Sequence, residues 1–198
     1  MLSARQIPSA AIVIIAASLS FSCEQRGKVQ AGYNLQPGQK RPANRKGNDA
    51  AFLAETSDDL LLESQLAVVA IRRATSAEVK ELAISVLTDH GIAMEELREI
   101  ASRIDVPLME KMSKGHRKQF VRIARERGPQ FDREFCRFIY TNKTLALKKF
   151  EKIAEDGSSE EIRYWAGGNL GILKRQIALA QGIEAGSGAS AEVGSLIE

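Results

Sequence analysis

Residues 76–104 read SAEVKELAISVLTDHGIAMEELREIASRI, and this stretch decides the fold. Val79, Leu82, Val86, His90, Ala93, Leu97, Ile100 and Ile104 recur in it at steps of three or four, which places them on one face of an α-helix. Ser76 suits the N-cap, where a hydroxyl accepts from an N–H of the first turn that has no helical partner. Asp105-Val106-Pro107 ends the helix, because proline disfavours helical backbone in the residue before it. A helix with a single apolar face must bury that face against other elements.

Its neighbours supply those elements. Upstream, Phe52, Leu53, Thr56, Leu60, Glu63, Ala67 and Ile71 mark one face of a first helix over 50–74, and Thr75-Ser76 is a tight turn. Downstream, a third helix starts near Pro129, which suits a first helical turn. It carries Phe131, Phe135, Phe138, Asn142, Leu145, Lys149 and Ile153 to Asp156, with Gly157 at the C′ position. Ser158 and Glu161 form a capping box for a fourth helix. That helix carries Ile162, Trp165, Asn169, Leu173, Gln176 and Ala180 and is expected to stop at Gly182. Gly167, Gly168 and Gly171 within it permit a close helix approach or a bend near Trp165. The expected fold is all-α, an antiparallel up-down four-helix bundle over 50–182 with a long helical connector between the second and third helices.

That connector, 105–128, is amphipathic, with Phe120, Val121, Ile123 and Ala124 on one side. Lys111, Lys114, Arg117, Lys118, Arg122, Arg125 and Arg127 outnumber Glu110 and Glu126, and His116 lies among them. One reading is a short helix capping the bundle with its charges in water. The other is a contact surface for an anionic envelope polymer, an anionic lipid or an acidic partner.

Composition narrows the classes further. The chain has 198 residues, of which 44% are hydrophobic and 27% charged, with a formal net charge of +3. Collagen-like and wholly disordered classes are excluded. So small a net charge, on an exported chain, gives no support to nucleic-acid binding. Two cysteines exclude a disulfide scaffold and a four-cysteine zinc site.

The N-terminus is an address. Arg5 precedes an apolar run, Ala10 to Ala17, that is too short to span a bilayer and fits the core of a secretory signal over 1–22. Cys23 follows at once. The boundary resembles a bacterial lipoprotein signal, in which this cysteine is acylated and anchors the chain to the membrane. Ser20 stands where an aliphatic residue is usual. The resemblance implies a location in the cell envelope, on the periplasmic side of the outer membrane. Residues 23–49 read as a flexible basic tether, with Arg26, Lys28, Lys40, Arg41, Arg45 and Lys46 against Glu24 and Asp49. Residues 183–198, rich in Ala, Gly and Ser, read as a disordered tail.

Polar residues interrupt the apolar faces at Glu63, His90, Asn142 and Gln176, with Asp89 beside His90. Counted from the turn between them, Glu63 and His90 fall at nearly the same height, within about 5 Å at 1.5 Å per residue. A buried carboxylate beside an imidazole is costly unless the two are paired. A two-metal carboxylate bundle needs Glu-x-x-His on two helices. Here Leu87 precedes His90 by three, and the third and fourth helices contain no histidine. The expectation is therefore a polar core cluster of Glu63, Asp89, His90, Asn142 and Gln176 with no metal and no cofactor. Glu63 and His90 are the residues that a metal would use in the alternative reading.

From Phe52 to Ile183 the chain resembles a bacterial family of exported ferritin-like four-helix domains of unknown function. The resemblance rests on Leu62-Glu63-Ser64-Gln65-Leu66-Ala67, Leu87-Thr88-Asp89-His90, Phe131-Asp132-Arg133-Glu134-Phe135 and the run from Leu170 to Ala180. Members of that family carry a second Asp-His in the third helix and a His in the fourth, where this chain has Thr141-Asn142 and Gln176. Of the family's polar cluster, the resemblance carries over Glu63, Asp89 and His90 alone. No phosphate loop, no Ser-His-Asp arrangement and no zinc-protease motif is present, and Cys136 reads as a small core hydrophobe. The functional expectation is a non-catalytic binding or structural module, with a metal-binding protein of stress or redox handling as the alternative.

Overall fold

The helical periodicity of the sequence is realised as five α-helices in the structure, a computed structural model that describes residues 44–195 and the side-chain environments of 47–185. They are α1 (Asn44–Arg73), α2 (Ala77–Arg103), α3 (Lys114–Arg125), α4 (Gly128–Asp156) and α5 (Glu160–Ser195). No strand occurs among the described residues. The described residues are therefore all-α. The signal, Cys23 and the tether up to residue 43 lie outside the described residues.

Two helical hairpins, α1–α2 and α4–α5, pack against each other, and each braces the other's turn. Asp132 near the start of α4 accepts from Thr75 N (2.9 Å), Thr75 Oγ1 (2.5 Å) and Ser76 N (2.8 Å). Asp49 near the start of α1 accepts from Ser158 N (2.8 Å), Ser158 Oγ (2.6 Å) and Ser159 N (3.3 Å). Both aspartates are buried. Each carboxylate satisfies N–H groups at a helix N-terminus and complements its dipole.

The resemblance between the hairpins extends along their length. A shift of 83 positions, from 49 to 132 and from 75 to 158, superposes Phe52 on Phe135, Ala67 on Phe150, Val79 on Ile162, Leu82 on Trp165, Ala83 on Ala166 and Leu97 on Ala180. Every one of these side chains is buried. Three of the exceptions have one cause. Asp58, Leu62 and Leu66 of α1 are buried, whereas Thr141, Leu145 and Lys149 at the matching positions of α4 are exposed. The α1 residues form a second stripe, which α3 covers.

Along that stripe α3 is fixed at both ends. Ser113 N donates to Asp58 Oδ1 (2.8 Å), and His116 places Nδ1 3.0 Å from Asp58 Oδ2 and Nε2 3.4 Å from Asp59 Oδ1. At the other end Arg73 donates to Ala124 O (3.0 Å) and Glu126 O (2.7 Å), a cation placed on the carbonyls that end a helix. Ile123 is the fully buried anchor between these clamps.

Several local expectations need correction. Residues 44–49, assigned to the tether, are helical and begin α1. The fourth helix does not stop at Gly182: α5 continues to Ser195, because a glycine lowers helix stability without forcing a turn and no proline follows. The N-cap position of α5 is Ser159 rather than Ser158: Ser159 Oγ accepts from Ile162 N at 3.5 Å, while the Ser158 hydroxyl donates to Asp49. Gly157 has φ −50°, not a left-handed value, and is needed for space, because a Cβ there would lie 2.7 Å from Ile153 O. Gly168 and Gly171 face open space and mediate no close helix approach. On α4 the core face includes Lys143 in place of Leu145 and Lys149.

Candidate functional site

Two apolar clusters fill the bundle, and a polar layer separates them. The first gathers Leu62, Leu66, Val79, Val86, Phe131, Phe135 and Ile139 around the α1–α2 turn and α3. The second gathers Phe52, Leu97, Ile100, Phe150, Ile162 and Trp165 around the α4–α5 turn. Between them, α1 contributes Glu63, α2 His90, α4 Asn142 and Lys143, and α5 Gln176.

Glu63 is at the centre and is fully enclosed. Its Oε1 accepts from Asn142 Nδ2 at 2.6 Å. Its Oε2 lies 2.5 Å from Lys143 Nζ and 3.0 Å from His90 Nε2. Lys143 Nζ is also 2.8 Å from His90 Nε2. His90 Nε2 thus faces a donor, the Lys143 ammonium, and an acceptor, Glu63 Oε2, while its Nδ1 lies 3.4 Å from Ser64 Oγ. The arrangement is a carboxylate and a neutral imidazole sharing one ammonium.

The protonation states follow from these neighbours. Burial by itself would raise the Glu63 carboxyl, but the Lys143 charge and the contact with His90 bring it down to about 2. Burial and the Lys143 charge both push the His90 imidazole below its ordinary value, which keeps it neutral at pH 7. Asp59, one turn before Glu63, is raised by burial and by the Glu63 charge.

Asp89 and Gln176 belong to an adjoining cluster. Gln176 Nε2 donates to Asp89 Oδ2 (2.8 Å), and so do Arg175 Nη2 (2.8 Å) and Ser85 Oγ (3.3 Å). The expected core set is thus divided: Glu63, His90 and Asn142 meet directly, whereas Asp89 and Gln176 pair beside them. Among the described residues no group of three or more His, Cys, Asp or Glu is arranged to hold a metal ion. At Glu63 and His90, the position between carboxylate and imidazole is filled by Lys143, a cation already provided by the chain.

Sequence periodicity missed Lys143, because Leu145 offered an apolar residue at a similar step. The signal was present in the internal register, which superposes Lys143 on the buried Leu60. It also missed Asp58, Asp59 and Arg73, the groups that fix α3.

The basic residues named from the sequence, Lys114, Arg117, Lys118, Arg122 and Arg125, are all exposed on α3. Arg122 pairs with Glu134 at 2.8 Å. Val121 lies among them, 40% exposed, on the side opposite Ile123. Cys136 is buried, and burial pushes its thiol up to about 12, so it is not a nucleophile at neutral pH. No helix among the described residues is long and apolar enough to cross a membrane.

These features define a helical bundle with a charge-compensated polar core and a basic helix fixed to its side. Residues 34–183 match the family described as Domain of unknown function (DUF4142), and the chain belongs to that family. Among solved structures it is similar to the crystal structure of a DUF305 fragment from Deinococcus radiodurans, with a TM-score of 0.61 and 15% identity. The alignment covers 69% of this chain and 94% of that one. At that identity the likeness concerns the fold alone. No functionally curated protein matches the chain.

Proposed function

We propose that the protein is a non-catalytic binding module of the bacterial envelope, anchored by an acylated Cys23 on the periplasmic side of the outer membrane. In this reading the four long helices form an up-down bundle of the ferritin-like kind, and the outer face of α3 rests on an anionic lipid surface. One observation carries it: Lys114, Arg117, Lys118, Arg122 and Arg125 surround the exposed Val121 on a helix whose inner face is held by Asp58, Asp59 and Arg73. An apolar side chain ringed by cations suits a headgroup layer, where it enters the acyl boundary and the cations meet phosphates. A rigidly held helix loses little conformational freedom on docking.

The alternative, metal binding in stress or redox handling through Glu63 and His90, has no comparable support. Lys143 lies against both groups, and a divalent cation there would have to displace an ammonium and leave it unpaired.

The test uses the full mature chain carrying Cys23→Ala, so that no acyl chain contributes. Sedimentation with vesicles containing phosphatidylglycerol is expected to exceed sedimentation with pure phosphatidylcholine, and added salt should weaken it. Equal partition to both vesicles rejects the lipid surface. Binding to a phosphate-bearing polysaccharide without binding to vesicles also rejects it, and transfers the role to an envelope polymer.

A further inference from the structure

Beside the Glu63–Lys143 pair lies a cavity of about 40 Å3. Its polar lining includes Asp59, Asp89 and Gln176, and its apolar lining includes Phe150, Trp165 and Ala146. The internal register explains the space: Ala146 occupies the α4 position that matches Glu63, and Ala93 matches Gln176, so small side chains face large ones across the bundle. A single water needs roughly 10–15 Å3 on this measure, so the cavity admits about two or three non-hydrogen atoms.

One wall lacks a partner. Gln176 is fully buried, and its Oε1 has no hydrogen-bond donor. Its orientation is not open to exchange of O and N, because Nε2 is bound to the Asp89 carboxylate, which only accepts. A buried acceptor without a donor costs about 1–3 kcal/mol, so the site favours a guest that donates. Charge points the same way. Asp59, Glu63 and Asp89 line the cavity against Lys143, and Arg175, bound to Asp89, is half exposed on the outside. His116 is 3.4 Å from Asp59 on the α3 side. Phe150 and Trp165, with ring centroids 5.5 Å apart, line the cavity with aromatic side chains, whose π-systems attract cations.

We propose that this cavity binds a small cation of the ammonium class, of ammonium to methylammonium size, between Gln176 Oε1, the Asp59 carboxylate and the Phe150–Trp165 ring pair. The guest supplies the donor that Gln176 lacks and adds a cation beside Asp59, which faces His116 on its other side. The raised Asp59 carboxyl fits such a place, since a bound cation draws it back down. The site shares Asp59 with the clamp on α3 but does not depend on the lipid-surface reading.

Thermal unfolding of the full mature chain in methylammonium chloride tests it, with tetramethylammonium chloride and sodium chloride at matched ionic strength as comparisons. Methylammonium is expected to raise Tm saturably, by about 3–6 °C at a tenfold excess over Kd, and the larger cation and sodium are not. Gln176→Leu should remove the effect. Ala146→Leu fills the same space without touching the hydrogen bonds, and should also remove it in a well-folded chain. Equal responses to the three salts, or an undiminished response in Ala146→Leu, would show that only water occupies the cavity and would overturn the proposal.

Discussion

Lys143 Nζ lies 2.5 Å from Glu63 Oε2 and 2.8 Å from His90 Nε2, so one ammonium compensates a buried carboxylate and engages a neutral imidazole. Removing either charge alone strands the other between two apolar clusters. Glu63→Gln and Lys143→Met are each expected to destabilise the fold by about 3–5 kcal/mol. The double variant should lose much less than the sum, because no uncompensated charge remains. Urea unfolding of the four proteins measures the coupling, and additive losses would contradict a shared ion pair.

The same centre sets the acid response. His90 titrates below its ordinary 6.5 in the folded chain, so the unfolded chain takes up that proton first as pH falls. Stability therefore drops as pH falls through 6.5 towards the depressed folded value. The Glu63 contribution is complete above about 4.5 and is lost as pH falls from there through about 2. Asp59, raised in the fold, works in the opposite sense and favours the folded chain at low pH. Urea midpoints should decline from neutral pH towards about pH 5, and His90→Gln should flatten that part of the curve. A midpoint that rises over this interval contradicts the assignment of a neutral buried imidazole.

The two capping aspartates offer a comparison within one molecule. Asp132 receives both backbone N–H groups of the α1–α2 turn and a hydroxyl, and Asp49 does the same at the α4–α5 turn. Asp132→Ala and Asp49→Ala should each cost about 2–3 kcal/mol, above an ordinary N-cap, since several buried donors lose their acceptor together. Hydrogen exchange should accelerate first at Thr75 and Ser76 in the former and at Ser158 and Ser159 in the latter. Acceleration spread evenly over the bundle would contradict local capping.

Glycine substitutions separate space from conformation. Gly157→Ala forces a Cβ to within 2.7 Å of a backbone carbonyl and 3.0 Å of Arg163 Cγ, and should destabilise by about 1–3 kcal/mol. Gly168→Ala meets nothing within 4 Å and should stabilise α5 by about 0.4–1 kcal/mol. Thermal denaturation of both variants measures these opposite signs.

The helical class, the turn at Thr75-Ser76 and the start of α4 at Pro129 were legible because apolar spacing and local caps act over a few residues. The core face of α4 was not, because Leu145 and Lys143 compete for it and α3 covers the matching stripe of α1 while Leu145 stays exposed. Asp49 and Asp132 act on turns far away in the chain, and neither carries a local signature. In the candidate site, Glu63, His90 and Asn142 interrupt apolar stripes and so announced themselves. Lys143 did not, since a lysine within a helix ordinarily reads as surface. The α3 cations were legible as a charge run, whereas the clamps that fix α3, Asp58, Asp59 and Arg73, looked like any other surface charges.

The central claim concerns the outer face of α3, and charge reversal tests it most directly. In the full mature Cys23→Ala chain, Arg117→Glu, Lys118→Glu and Arg122→Glu together remove three cations, each worth about 1 kcal/mol near an anionic surface. Binding to phosphatidylglycerol vesicles is predicted to weaken by at least about a hundredfold, with the helical circular dichroism unchanged. Undiminished vesicle binding by this folded variant would contradict the account.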